Sequence, residues 1–100
     1  MKTNKINFQD VKEFCSDNDF TIVKKVFHKT KNCYCYAVTN KIINSYYGVR
    51  YGFGILLVEN DDFNYVNLEH LQDGLTTTKK QARADLMATL NRLDYIDVLK

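Results

Sequence analysis

The side chains best suited to chemistry in this 100-residue chain are three cysteines, Cys15, Cys33 and Cys35, and two histidines, His28 and His70. Cys33 and Cys35 are separated by one residue, so on a strand both point to the same face, and His28 stands five residues before the first of them. A structural zinc site needs a complete tetrahedral ligand set, usually built from cysteine pairs with wider spacing, and these residues do not supply it. The cysteines are expected as small buried residues with reduced thiols, and no metal and no cofactor is expected. Neither histidine has a Ser or Asp neighbour in a nucleophile pattern, and Gly48, Gly52, Gly54 and Gly74 form no phosphate loop. No catalytic residue is assigned, and the expected function is not enzymatic.

Charge is more informative. The net charge is only +2, yet six bases and no acid fall between Phe20 and Val58 (Lys24, Lys25, Lys29, Lys31, Lys41, Arg50). Between Glu59 and Asp73 the pattern reverses, with five acids (Glu59, Asp61, Asp62, Glu69, Asp73) and no base. A fold that keeps these blocks apart presents one positive and one negative surface. On the first reading the acidic block binds protein: Glu59, Asp61, Asp62 and Glu69 stand in for phosphates against a basic groove, with Tyr65 as an aromatic anchor.

On the alternative reading the positive groups bind nucleic acid. Lys79 and Lys80 occupy the first turn of a helix, where its dipole disfavours cations by about 0.3–1 kcal/mol each. Together with free backbone N–H groups and Arg83 they would hold a phosphate or carboxylate, and Lys24, Lys25, Lys29 and Lys31 would extend the positive surface. Tyrosines add to either reading. Tyr34, Tyr36, Tyr46, Tyr47, Tyr51 and Tyr65 lie in or beside strands and loops, and tyrosine offers large contact area at small entropic cost.

These groups must be positioned by a single α+β domain spanning residues 1–100. Asn7 and Asp10 have N-cap and capping-box spacing for a first helix, Ile6 and Val11 form its staple, and Val11, Phe14 and Cys15 its buried stripe. Ser16 to Asp19 ends it. Phe20–His28 and Cys33–Ile42 are rich in β-branched and aromatic residues and read as a hairpin, followed by strands at Val49–Glu59 and Phe63–Leu68. Thr78 and Gln81 open a last helix whose Ala82, Leu86, Leu90 and Leu93 share a face. The expectation is an N-terminal helix, a three- to four-stranded mostly antiparallel sheet and a C-terminal helix packed on it, in two layers. Gly52 and Gly54 share a strand face and should leave a shallow groove for a helix or a partner backbone, with Tyr51, Phe53, Ile55 and Leu57 pointing the other way.

The run Thr78-Lys79-Lys80-Gln81-Ala82-Arg83 resembles the opening of the last helix in double-stranded-RNA-binding domains. That resemblance implies phosphate contacts from Lys79, Lys80 and Arg83 and recognition by shape. Tyr51-Gly52-Phe53-Gly54-Ile55-Leu56 is similar to the main ribonucleoprotein motif of RNA-recognition domains, although that fold requires a helix where Phe20–Ile42 reads as a direct hairpin. Eleven lysines against three arginines, with ten asparagines, seven tyrosines and no proline, give the bias of an AT-rich coding sequence, as in a low-GC bacterium or its phage; in size, this bias and helix, strands, helix order the chain resembles some phage anti-CRISPR inhibitors. This implies a partner that handles nucleic acid, such as a CRISPR effector. No apolar run reaches the roughly 20 residues of a membrane span and Met1–Asn7 lacks a signal-peptide core, so a cytoplasmic location is expected.

Overall fold

The junctions between elements are set by residues that tolerate left-handed backbone. In the computed structural model, which describes residues 6–71 and 74–99, helix α1 (Phe8–Asp17) turns at Asp19 (φ 59°) into β1 (Phe20–His28). Asn32 (φ 53°) closes the loop to β2 (Cys33–Asn44), and Gly48 (φ 76°) starts β3 (Gly48–Glu59). Asn60 and Asp61, at φ 51° and 61°, form a two-residue turn into β4 (Asp62–Asn67). Two consecutive left-handed residues match the twist of a tight hairpin, which is why Asn and Asp serve here. A 3₁₀ turn (Glu69–Leu71) leads to α2 (Lys79–Arg92) and a final strand β5 (Ile96–Val98).

Both helix starts follow from capping chemistry. The Asn7 side chain accepts from the Asp10 N–H and the Asp10 carboxylate accepts from the Asn7 N–H, each at 3.0 Å, which completes the box. At α2 only half of the box forms: Thr78 Oγ1 accepts from the Gln81 N–H at 3.1 Å, while the Gln81 amide turns to Asp85 at 2.8 Å.

The sheet is antiparallel at every junction in the order β4-β3-β2-β1-β5. The fifth strand was not expected, because three residues are too few to show a period; its strand character comes from pairing with Val26–His28. The neighbouring strands also run slightly further than expected, β2 to Asn44 and β3 from Gly48, because their hairpin stays in register up to a tight turn.

The two helices lie on opposite faces, so the domain has three layers rather than two. Alternation along β2 sends Cys35 and Ala37 to one side and Tyr36 and Val38 to the other. Cys35, Ala37, Phe53, Ile55 and Leu57 pack with Ala82, Leu86 and Leu90 of α2, while Val38 and Leu56 pack with Val11 and Cys15 of α1. Phe53, Leu86 and Leu90 are 0% exposed, and burying each contributes on the order of 1.5–3 kcal/mol. Tyr51, Phe53, Ile55 and Leu57 share the α2 face, as expected.

Gly52 is met by the Glu69 side chain of the 3₁₀ turn, and Gly54 by the backbone of the chain's own β4. A side chain at Gly54 would strike the Val66 carbonyl and the Tyr65 ring, and one at Gly52 would strike the Glu69 carboxylate and Asn40. The groove is filled from within by residues just after β3.

Candidate functional site

The acidic residues do not assemble into one patch. Glu59 Oε2 accepts from the Lys31 ammonium at 3.2 Å, and the Asp62 carboxylate accepts from its neighbour's N–H, at Phe63, at 2.8 Å. Glu69 folds over Gly52; its Oε1 is buried with no hydrogen-bond partner among the described residues, and burial pushes its pKa up. Asp61 and Asp62 remain exposed at the β3–β4 turn, while Asp73 lies outside the described residues. Tyr65 lies half-buried under α1 with its hydroxyl donating to Asn40 at 3.2 Å, and burial raises its pKa too. It contributes to the interior of the α1 face.

The lysines separate into three groups. At the β1–β2 turn, Lys29 pairs with Asp97 at 3.6 Å and Lys31 with Glu59. Lys24 and Lys25 instead line a groove beside α1, with the Lys25 ammonium 4.7 Å from the centre of the Tyr34 ring. Lys79 lines a polar cavity of about 270 Å³ together with Asp19, Thr21, Thr39, Lys41 and Tyr51, and Lys80 and Arg83 are exposed on α2. Of the hairpin cations, Lys41 meets the helix at Lys79, while Lys24 with Lys25 and Lys29 with Lys31 lie in separate places.

Cys35 and Cys15 are buried, and burial pushes the Cys35 thiol up to about 12, far from a reactive thiolate. His28 faces Cys33 across the hairpin, and its Nδ1 accepts from the Lys31 N–H at 3.2 Å. Its ring lies 5.0 Å from that of Tyr95 at the mouth of a mostly apolar cavity of about 260 Å³. Burial, with the Lys31 charge as a smaller cause, lowers the His28 pKa. Among the described residues no three His, Cys, Asp or Glu side chains come together as a metal site.

The most prominent surface feature is the end of the β2–β3 hairpin. Tyr46 is 91% exposed, Ile43 74% and Tyr47 64%, with Val49 beside them. The tip is tied together by its own bonds: Asn44 Oδ1 accepts from the N–H groups of Tyr46 and Tyr47 at 2.7 and 3.1 Å. Arg50 Nη1 donates to the Tyr47 carbonyl at 2.6 Å and its guanidinium lies 5.6 Å from the Tyr47 ring centre. Tyr46 and Tyr47 are among the tyrosines named from sequence and Arg50 is among the bases of the positive block, whereas Ile43 and Val49 are not site candidates there. The available signal was alternation that continues past the point where a covering helix ends. No protein-family model, curated protein or solved structure matches the chain significantly. No helix among the described residues is long and apolar enough to cross a membrane.

Proposed function

We propose that the chain is a non-enzymatic interaction protein that docks on a protein partner through the tip of its β2–β3 hairpin. The observation that supports this most is a cluster of large side chains in water on a turn braced by its own hydrogen bonds. Ile43, Tyr46 and Tyr47 are exposed well beyond what a half-buried sheet requires. Tyrosine and arginine are the residue types that carry binding energy at interfaces, and a loop ordered in advance loses little entropy on docking.

The resemblance to phage-type inhibitors puts the proposed partner among nucleic-acid-handling proteins, such as a CRISPR effector. The chemistry of the tip then selects a surface on that partner. With Lys41 and Arg50 flanking the apolar residues and no acid between Phe20 and Val58, the tip fits an apolar patch rimmed by carboxylates rather than a basic nucleic-acid channel. Asp61 and Asp62 are the groups left to face a basic channel, as the acidic-block reading requires.

Affinity capture from a lysate of a low-GC bacterium, with and without nuclease, tests the proposal. A protein should remain bound after nuclease treatment, and Tyr46→Ala with Tyr47→Ala should reduce its capture at least about tenfold, the effect of losing one interfacial anchor. Capture that vanishes with nuclease, or that the double variant leaves unchanged, would remove the hairpin tip as the docking surface.

A further inference from the structure

A second surface on the molecule has a different chemistry. Helix α1 has 10 residues and covers only part of its face of the sheet, leaving a groove of about 450 Å³ lined by Phe8, Ile22, Val23, Lys24, Lys25 and Tyr36. Two rings on this face stay half in water, Phe8 at 52% and Tyr34 at 54% exposed. The Phe8 ring centre is 5.9 Å from that of Tyr36, and Phe27 supports Tyr34 from 5.1 Å in an edge-on contact. Each exposed ring carries a cation: Lys12 lies 5.5 Å from the centre of Phe8 and Lys25 4.7 Å from that of Tyr34. Among the described residues no carboxylate lines the groove. The two lysines of the β1–β2 turn, Lys29 and Lys31, are the ones held by acids.

From this juxtaposition we infer that the open half of the α1 face binds single-stranded nucleic acid, with bases stacked on Phe8 and Tyr34 and the backbone on Lys12, Lys24 and Lys25. Flat rings that are supported from behind and exposed in front suit a base, since every base has a π-face. A base that takes the Tyr34 face displaces the Lys25 ammonium toward the adjoining phosphate, so one residue pair serves both parts of a nucleotide. A duplex keeps its bases stacked on one another and can offer only phosphates, which leaves the rings without a partner. An acidic peptide would satisfy the lysines and likewise leave the rings idle. The inference is independent of the hairpin tip, whose residues do not line this groove.

Fluorescence anisotropy of labelled twelve-nucleotide oligo(dT) with the whole protein, between 50 and 200 mM salt, provides the test. Binding should weaken with salt by about 0.7 log unit per log unit for each lysine–phosphate contact, so Lys24→Gln with Lys25→Gln should flatten the dependence by about 1.4. Tyr34→Ala and Phe8→Ala should each weaken binding by about 5- to 150-fold, the range for loss of one stacked base. Circular dichroism should show both variants folded, since both rings are half-exposed. The triple variant Lys79→Gln, Lys80→Gln, Arg83→Gln should bind as the wild type does. The inference fails if oligo(dT) does not bind at 50 mM salt or if Tyr34→Ala has no effect. Equally damaging would be a duplex of equal length binding as well as the single strand, or oligo(Asp) displacing it as well as unlabelled oligo(dT).

Discussion

The two faces of the sheet differ in what they bury and in how completely. On the α2 face small and branched residues (Ala37, Ile55, Leu57) meet Ala82, Leu86 and Leu90, and the nearby lysines of the β1–β2 turn are paired with acids. On the α1 face aromatic rings do most of the packing, including Phe14 against Phe63 with ring centres 4.2 Å apart and Phe20 against Tyr65 at 4.7 Å. Helix length decides the contrast. The 14 residues of α2 reach as far as β5, whereas the 10 of α1 leave the Phe8 and Tyr34 rings half-exposed with the Lys12 and Lys25 ammonium groups beside them. One face serves stability, and the other divides its residues between stability and an open surface.

The largest expected effect follows from the sealed face. Leu86→Ala should cost about 2–5 kcal/mol in chemical denaturation, the range for a cavity at a fully buried leucine. Phe8→Ala, at the rim of the other face, should stay within about 0.5 kcal/mol. Equal costs would erase the contrast.

Gly54→Ala comes next and probes how tightly the α1 face is filled. Its new methyl group would meet the Val66 carbonyl and the Tyr65 ring, so a loss of about 1–3 kcal/mol is expected. Thermal unfolding should register it as a fall of about 4–8 °C per kcal/mol in a domain of this size. An unchanged midpoint would mean that β4 can move aside freely.

The smallest effects separate the faces by pH. Glu69, on the α1 face, has a raised pKa, so the folded protein holds this proton at pH values where the unfolded chain has released it. Its contribution therefore declines as pH rises above the ordinary glutamate value of 4.5, and Glu69→Gln should abolish that decline. His28, on the α2 face, has a lowered pKa, so the unfolded chain takes up the proton first and stability falls as pH drops below 6.5. His28→Asn should remove that fall. Urea midpoints measured across pH 4–8 would show both slopes, and slopes of one sign at both sites would contradict the assignment.

Much of this architecture was legible in local sequence. Asn7 with Asp10, Thr78 with Gln81, and the turn formers at Asn60-Asp61 act within a few residues, so the helix starts and hairpin positions could be read directly. What could not be read depends on distant partners. β5 exists because β1 offers an open edge, and the glycine groove is filled because β4 folds back on β3. The acidic block looks like a surface in sequence, but its carboxylates disperse in space: Glu59 finds Lys31 across 28 residues, and Glu69 turns inward. Likewise Tyr65 and Tyr46 look equivalent in composition, and only the position of α1 makes one interior and the other solvent-exposed.

The incomplete coverage of β1 by β5 bears on self-association. β5 pairs with Val26–His28, so among the described residues the first part of β1 is an outer edge. That stretch contains the register shift between Ile22 and Lys24, and Lys24 and Lys25 follow it directly. A bulge breaks the even spacing that a second strand would need, and two ammonium groups repel an identical edge. Such an edge is hard to extend into a longer sheet.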